Sequence, residues 1–149
     1  MRGLSPYLSK QKIDVRISGA EIETEISAGP FSQVITNLLQ NSALHAYQGQ
    51  GGTVDISIEP KQNRDVIINV VDRGVGIAEE TLHRIFEPLF TTRFGNGGSG
   101  LGLHICYTTV RDVLKGSINV DSILGEGTRF QLRLPPAETK ETYPSELGV

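Results

Sequence analysis

The chain reads as an α+β domain: one mixed, largely antiparallel sheet with helices on one face. Three observations predict this. Short runs of alternating apolar and polar residues recur along the chain. Two longer stretches carry apolar residues at helical spacing. The length, 149 residues without an internal repeat, suits one core, burying roughly 68–70% of the unfolded surface.

The elements follow in order. Residues 1–10 are polar, contain Pro6 and read as a linker end. Asp14 to Ser18 alternates as a strand, and Glu21 to Ile26 alternates again, with Ser18-Gly19-Ala20 as a hairpin between them. Pro30 to Ala46 is a helix, because Phe31, Val34, Ile35, Leu38 and Leu39 share one face. Gly49 to Gly52 ends it in a loop. Thr53 to Ile58 is a half-exposed strand, Pro60 to Arg64 a turn, and Asp65 to Asp72 a more buried strand. A short helix covers Glu79 to Ile85. Phe86 to Gly100 is irregular and contains Gly95, Gly97, Gly98 and Gly100; loops this long in compact domains are usually functional. Leu101 to Leu114 is the second long helix. Ser117 to Asp121 and Thr128 to Leu134 are strands around a Gly125-Glu126-Gly127 turn. The domain thus spans 11–135, and the charged, Pro-containing residues 136–149 read as a disordered tail.

A hydrophobic fraction of 38% and a charged fraction of 21% are those of a soluble globular protein. The net charge of −3 provides no field that would draw the chain to nucleic acid or an anionic membrane. Phosphates could still be held by backbone N–H groups and a metal ion. The one cysteine, Cys106, lies in an apolar neighbourhood and reads as a small core residue rather than a nucleophile. No run approaches the ~18 apolar residues of a membrane helix, and the N-terminus lacks a signal-peptide core. A cytoplasmic domain is expected, with a parent protein anchored elsewhere left open.

Three constellations carry chemistry. In Asp72-Arg73-Gly74-Val75-Gly76-Ile77 a carboxylate ends the apolar run Val66 to Val71, and two glycines follow. Such a turn offers one fixed acceptor and lets the backbone come close to a ligand. The amine of adenine would donate to an ionised carboxylate, whereas the carbonyl of guanine would be repelled. The alternative is an ordinary Asp-containing turn.

Gln33, Asn37, Asn41 and His45 recur every four residues on the first long helix. A solvated face is the alternative, although Asn is a poor helix former. An Asn oxygen suits Mg²⁺ that keeps several waters and bridges phosphates. The third constellation, Gly97-Gly98-Ser99-Gly100-Leu101-Gly102-Leu103, opens the last long helix. Its bare N–H groups would let a polyphosphate approach the helix start; a linker with a helix cap is the alternative. No P-loop is present, and Leu103 occupies the third glycine position of a dinucleotide fingerprint.

These segments resemble the signature boxes of sensor histidine kinases. Asn37-Leu38-Leu39-Gln40-Asn41-Ser42-Ala43 resembles the N box and Asp72-x-Gly74-x-Gly76 the G1 box. Phe86-Glu87-Pro88-Leu89-Phe90-Thr91-Thr92 resembles the F box, and Gly98-Ser99-Gly100-Leu101-Gly102-Leu103 the G2 box. Gly125-Glu126-Gly127-Thr128-x-Phe130 is similar to the closing Gly-Thr-x-Phe element. All occur in family order over about Gln33 to Phe130. The resemblance implies the two-layer ATP-binding fold shared by histidine kinases, gyrase, heat-shock chaperones of the ninety-kilodalton class and mismatch-repair ATPases.

It also implies roles. Asp72 would accept from the adenine amine, helped by Thr128, and Gly74, Gly76 and Ile77 would line the base pocket. Asn41 would ligate Mg²⁺ and Asn37 would support the phosphate side. Ser99, Leu101 and Leu103 would sit with Gly98, Gly100 and Gly102, which hold the phosphates. Residues 86–97 would form a mobile lid that includes Phe90. Asn37 stands where hydrolytic relatives generally have a Glu; an amide cannot take a proton from water, which favours transfer to a protein acceptor. Many kinases have a Lys three residues after the second Asn. Here Leu44 is there, and His45 or Arg93 is the expected substitute.

The acceptor itself is missing, since His45, His83 and His104 lack the acceptor motif. His83 is expected on the surface and His104 in the core. The resemblance therefore implies a catalytic domain acting on a phosphoacceptor helical hairpin absent from this chain, with a response regulator downstream and the isolated domain monomeric. A nucleotide-binding docking module and an anti-sigma-type serine kinase are the alternatives on the same fold.

Overall fold

A computed structural model describes residues 12–19, 28–88, 90 and 102–136. Its strands are β1 (Ile13–Gly19), β2 (Gly52–Pro60), β3 (Val66–Asp72), β4 (Ser117–Ile123) and β5 (Gly127–Leu134). They form one sheet in the order β1-β2-β3-β5-β4. β1 runs parallel to β2, and the other neighbours are antiparallel. The helices are α1 (Ala28–Asn41), α2 (Glu79–Leu82) and α3 (Gly102–Thr108).

Strand register sorts the side chains into two faces, because alternate residues point to opposite sides. On one face Ile56, Val70, Phe130 and Val120 stand in a row, and Ile58, Ile68, Leu132 and Ile118 in the next. Val34, Ile35, Leu38 and Leu39 of α1 and Cys106 and Val110 of the α3 segment share one buried cluster with these rows. The opposite face is largely polar, Ile67, Val71 and Ile123 apart. Gln131 donates to Asn69 Oδ1 at 3.0 Å, Asn69 donates to Ser57 Oγ at 3.4 Å, and Arg133 pairs with Asp65 at 2.9 Å. This asymmetry sets the helices on one face, as the sequence predicts.

The apolar rows end in a polar one. Val54, Asp72, Thr128 and Ser122 are cross-strand neighbours, one row beyond Phe130 on the core face. The core thus gives way to buried polar groups at that end of the sheet.

Both long helices depart from the expected regular α-helix. A π turn, Ser42–Ala46, continues α1, and another, Thr109–Val113, continues α3. Tyr47 N–H reaches Ser42 O at 2.9 Å, and Leu114 N–H reaches Thr109 O at 2.9 Å. Gln48 and Lys115 then close the segments in left-handed geometry, at φ 51° and 61°. The short helix is also briefer than expected: α2 ends at Leu82, and His83 to Phe86 form a turn. Ser18 and Gly19 extend β1 instead of starting a turn. The expected strand 21–26, the linker 1–10 and residues 137–149 of the tail lie outside the described residues.

Candidate functional site

Asp72 is 3% exposed. Its Oδ1 accepts the N–H of Gly74 at 3.0 Å and of Thr128 at 3.2 Å. Among the described residues its Oδ2 accepts only the Ser42 hydroxyl, at a long 3.4 Å. A carboxylate has about four acceptor positions, so Oδ1 is committed to the fold and Oδ2 retains capacity. Burial pushes the Asp72 pKa above its ordinary value, against the pull of the Gly74, Thr128 and Ser42 hydrogen bonds. A buried, incompletely satisfied carboxylate at a sheet end is a functional-site candidate.

The following turn is pressed between two elements. Val75 N–H donates to Ala46 O of the first π turn at 3.1 Å, and Gly125 N–H donates to Val75 O at 2.8 Å. A Cβ on Gly74 would lie 2.4 Å from Ala46 O. Gly76 has φ +77°, and its Cβ would lie 2.2 Å from Ile123 O. The sequence pattern pointed to close approach by a ligand; the protein's own backbone already demands both glycines.

Three residues that the sequence pattern did not single out hold this corner. Ser42 contacts Asp72. The Tyr47 hydroxyl donates to Thr53 O at 2.6 Å and accepts Arg73 N–H at 2.8 Å. Ser122 Oγ accepts Ile77 N–H at 2.7 Å, donates to Gly127 O at 2.9 Å and lies 2.8 Å from Thr128 Oγ1. Ser42 sits inside the Asn-containing segment and could have been noticed there. Tyr47 and Ser122 carry no local signal; only their cross-element partners reveal them.

The polar helical stripe divides. Asn37 is buried at 8% exposure. Its Oδ1 accepts from Gln33 at 2.9 Å, and its Nδ2 donates to Gly102 O, at the start of α3, at 3.3 Å. Asn41, one turn on, is half-buried and makes no side-chain hydrogen bond among the described residues. His45 is half-buried inside the π turn. A four-residue repeat advances roughly 40° per step on a regular α-helix, and the wider π turn absorbs part of that drift before His45. Asn37 therefore ties α1 to α3, while Asn41 remains available. Cys106 lies beneath them, fully buried; its thiol donates to Val34 O at 3.5 Å and burial pushes its pKa up to about 12.

Phe86 packs into the core, stacked on Tyr107 at 5.5 Å and edge-on to Phe130 at 6.4 Å. Phe90 is half-buried, with the Arg84 guanidinium 4.5 Å over its ring. Leu103 is half-buried against the core. His83 is exposed, as expected. His104 is half-buried rather than fully packed, with Nδ1 3.1 Å from Phe86 O. Arg93, Gly98, Ser99, Gly100 and Leu101 lie outside the described residues. Asp72, Gly74, Gly76, Ile77 and Thr128 converge at one end of the sheet, and Asn37 and Gly102 meet at the start of α3.

Fold and site together define an ATP-binding domain of the histidine kinase class, a mixed five-stranded sheet covered by helices on one face. The chain belongs to the histidine kinase-, DNA gyrase B- and HSP90-like ATPase family, whose model matches residues 26–138. It is 38% identical over 137 residues to sensor histidine kinase ZraS of Salmonella typhimurium, covering 89% of this chain and 28% of that protein. The catalytic domain of histidine kinase ThkA superposes with a TM-score of 0.75 at 27% identity, covering 91% of this chain and 86% of that one. Full-length ShkA in complex with AMPPNP gives a TM-score of 0.75 at 25% identity, covering 93% of this chain and 28% of ShkA. The chain thus spans under a third of these full-length kinases. Among the described residues no helix is long and apolar enough to cross a membrane.

Proposed function

We propose that this chain binds Mg-ATP and passes its γ-phosphoryl group to a histidine on a separate helical hairpin domain, within two-component signalling. The observation that carries the reading is the open Oδ2 of Asp72, a buried acceptor with spare lone pairs at the end of the sheet. It would accept from the adenine amine. Thr128 sits beside it, and Gly74, Gly76 and Ile77 would form the wall of the base pocket. ShkA, on the same fold, is described with an adenosine triphosphate analogue.

Asn41 fits a metal role. Its uncommitted amide offers a hard neutral oxygen, suited to Mg²⁺ that takes its other ligands from water and phosphate. Among the described residues no cluster of three or more His, Cys, Asp or Glu offers an all-protein cage. The bound ion would neutralise phosphate charge during transfer.

Asn37 acts by position. Its amide oxygen is engaged by Gln33 and its nitrogen by Gly102 O, so it steadies the entrance to α3. It offers no basic group for activating water, which favours a protein acceptor over hydrolysis. Gly98, Gly100 and Gly102, with Ser99, Leu101 and Leu103, would cradle the phosphates. Phe90 would belong to the lid, and His45 or Arg93 would supply the phosphate contact that a Lys makes in many kinases. A response regulator would take the phosphoryl group onward.

The test is phosphotransfer from γ-labelled ATP to a supplied hairpin domain, beside a serine-containing protein substrate. Acid-labile label on the hairpin is expected. Acid-stable label on the serine substrate would overturn the proposal.

A further inference from the structure

Ser122 is a crowded hydroxyl, and counting its protons fixes more than its own position. It has one proton and, among the described residues, three close polar neighbours. Ile77 N–H can only donate to it. Gly127 O, at 2.9 Å, can only accept, so the Ser122 proton belongs there. Were it directed elsewhere, a carbonyl and a hydroxyl oxygen would face each other without a proton between them. The remaining neighbour, Thr128 Oγ1 at 2.8 Å, must then donate to Ser122. Thr128 is 5% exposed and is the cross-strand neighbour of both Asp72 and Ser122.

We infer that Ser122 is a positioning residue for base selection: by capturing the Thr128 proton, it leaves Thr128 able only to accept at the base site. This rests on the adenine pocket proposed above. With Asp72 Oδ2, to which Ser42 already donates, the pocket then presents two adjacent acceptors and no spare hydroxyl proton. Adenine, which brings an amine to this edge, is matched. Hypoxanthine replaces that amine with a carbonyl, which faces acceptors on both sides; its N1–H leaves that repulsion in place, and sites built for one hydrogen-bond pattern discriminate strongly against another. Without Ser122 the Thr128 proton is free to turn toward that carbonyl.

The experiment is calorimetric titration of the chain with ATP and with inosine triphosphate. Ser122→Ala is expected to cut the preference for ATP over inosine triphosphate by about tenfold, the scale of one hydrogen bond. Ser122→Thr, which keeps the hydroxyl, should retain the wild-type preference. In a Thr128→Val background, Ser122→Ala should change the preference no further. A wild-type preference in Ser122→Ala with ATP still bound, or additive effects in the pair, would overturn the inference and leave the adenine pocket standing. Absence of ATP binding by the wild type would instead overturn the pocket, and the inference with it. If thermal melts show Ser122→Ala unfolded, the other two variants decide: loss of preference in Thr128→Val but not in Ser122→Thr supports the role, and any other pattern overturns it.

Discussion

Asp72→Asn separates what Asp72 does for the fold from what it does for a nucleotide. In Asn the oxygen can keep the Oδ1 position, where it accepts Gly74 and Thr128 N–H. The amide nitrogen then replaces Oδ2. The Ser42 hydroxyl can turn to accept from it, so little is lost at that 3.4 Å contact. Stability at neutral pH should stay within about 1 kcal/mol of wild type, since one weak bond is exchanged and a buried charge disappears. ATP affinity should fall by roughly 1.5–3 kcal/mol, a hydrogen bond to a charged acceptor. That is on the order of ten- to 150-fold. Alanine would be the poorer choice, because it strands two backbone N–H groups at about 1–3 kcal/mol each. The pH dependence adds a second readout. Burial raises the Asp72 pKa above its ordinary 3.8, so the folded state favours the protonated form. The stability this contributes is complete below the ordinary value and is lost as pH rises through the raised one. ATP affinity runs the other way, falling as the carboxylate gains its proton. Asp72→Asn should remove this residue's share of both slopes. Calorimetry and urea unfolding across the acid range measure the two effects, and unchanged ATP affinity in Asp72→Asn would refute the assignment of Oδ2 to adenine.

Four further outcomes are expected. Asn41→Ala should weaken the Mg²⁺ dependence of ATP binding, read by titration with and without the ion, while leaving the melting temperature unchanged. Asn37→Ala should cost about 1–3 kcal/mol of stability, read by urea unfolding, because the Gln33 amide and Gly102 O lose their partner. Cys106 should resist thiol reagents in the native protein and react only on unfolding: with a pKa near 12, only about one thiol in ten thousand is ionised at pH 8, and that fraction is buried. Replacing His45 and Arg93 together with Ala should reduce ATP affinity and phosphotransfer; if both survive, neither residue supplies the phosphate contact.

The strands were legible because an alternating pattern leaves little choice of register when one face must be buried. Ile56, Val70, Phe130 and Val120 form one apolar row from four separate runs. Asp72 was legible because it interrupts such a run. The π turns were not, since Phe31 to Leu39 and the four-residue polar stripe read equally well on an unbroken α-helix. Nor does spacing distinguish Asn37 from Asn41: the first is consumed by α3, which only tertiary contact can reveal. Ser122 stands in a strand like any surface serine until the hairpin folds Thr128 against it.

The π turn at Ser42–Ala46 lets the helix carry an extra residue without moving the site. A π turn is an α-helix carrying one extra residue. Deleting one residue from it would let the ladder close as α and leave the Ala46 carbonyl near its present direction, because five residues of the wider turn advance roughly as far as four of an α-helix. That carbonyl is the one Val75 N–H uses, with Gly74 pressed against it. The register of the Asp72 turn is therefore protected from a change of one residue between Asn41 and Tyr47. Homologous chains that keep this corner should tolerate a one-residue gap at Leu44 far better than one between Asn37 and Asn41, and should collect their insertions in the glycine-rich loop immediately after it.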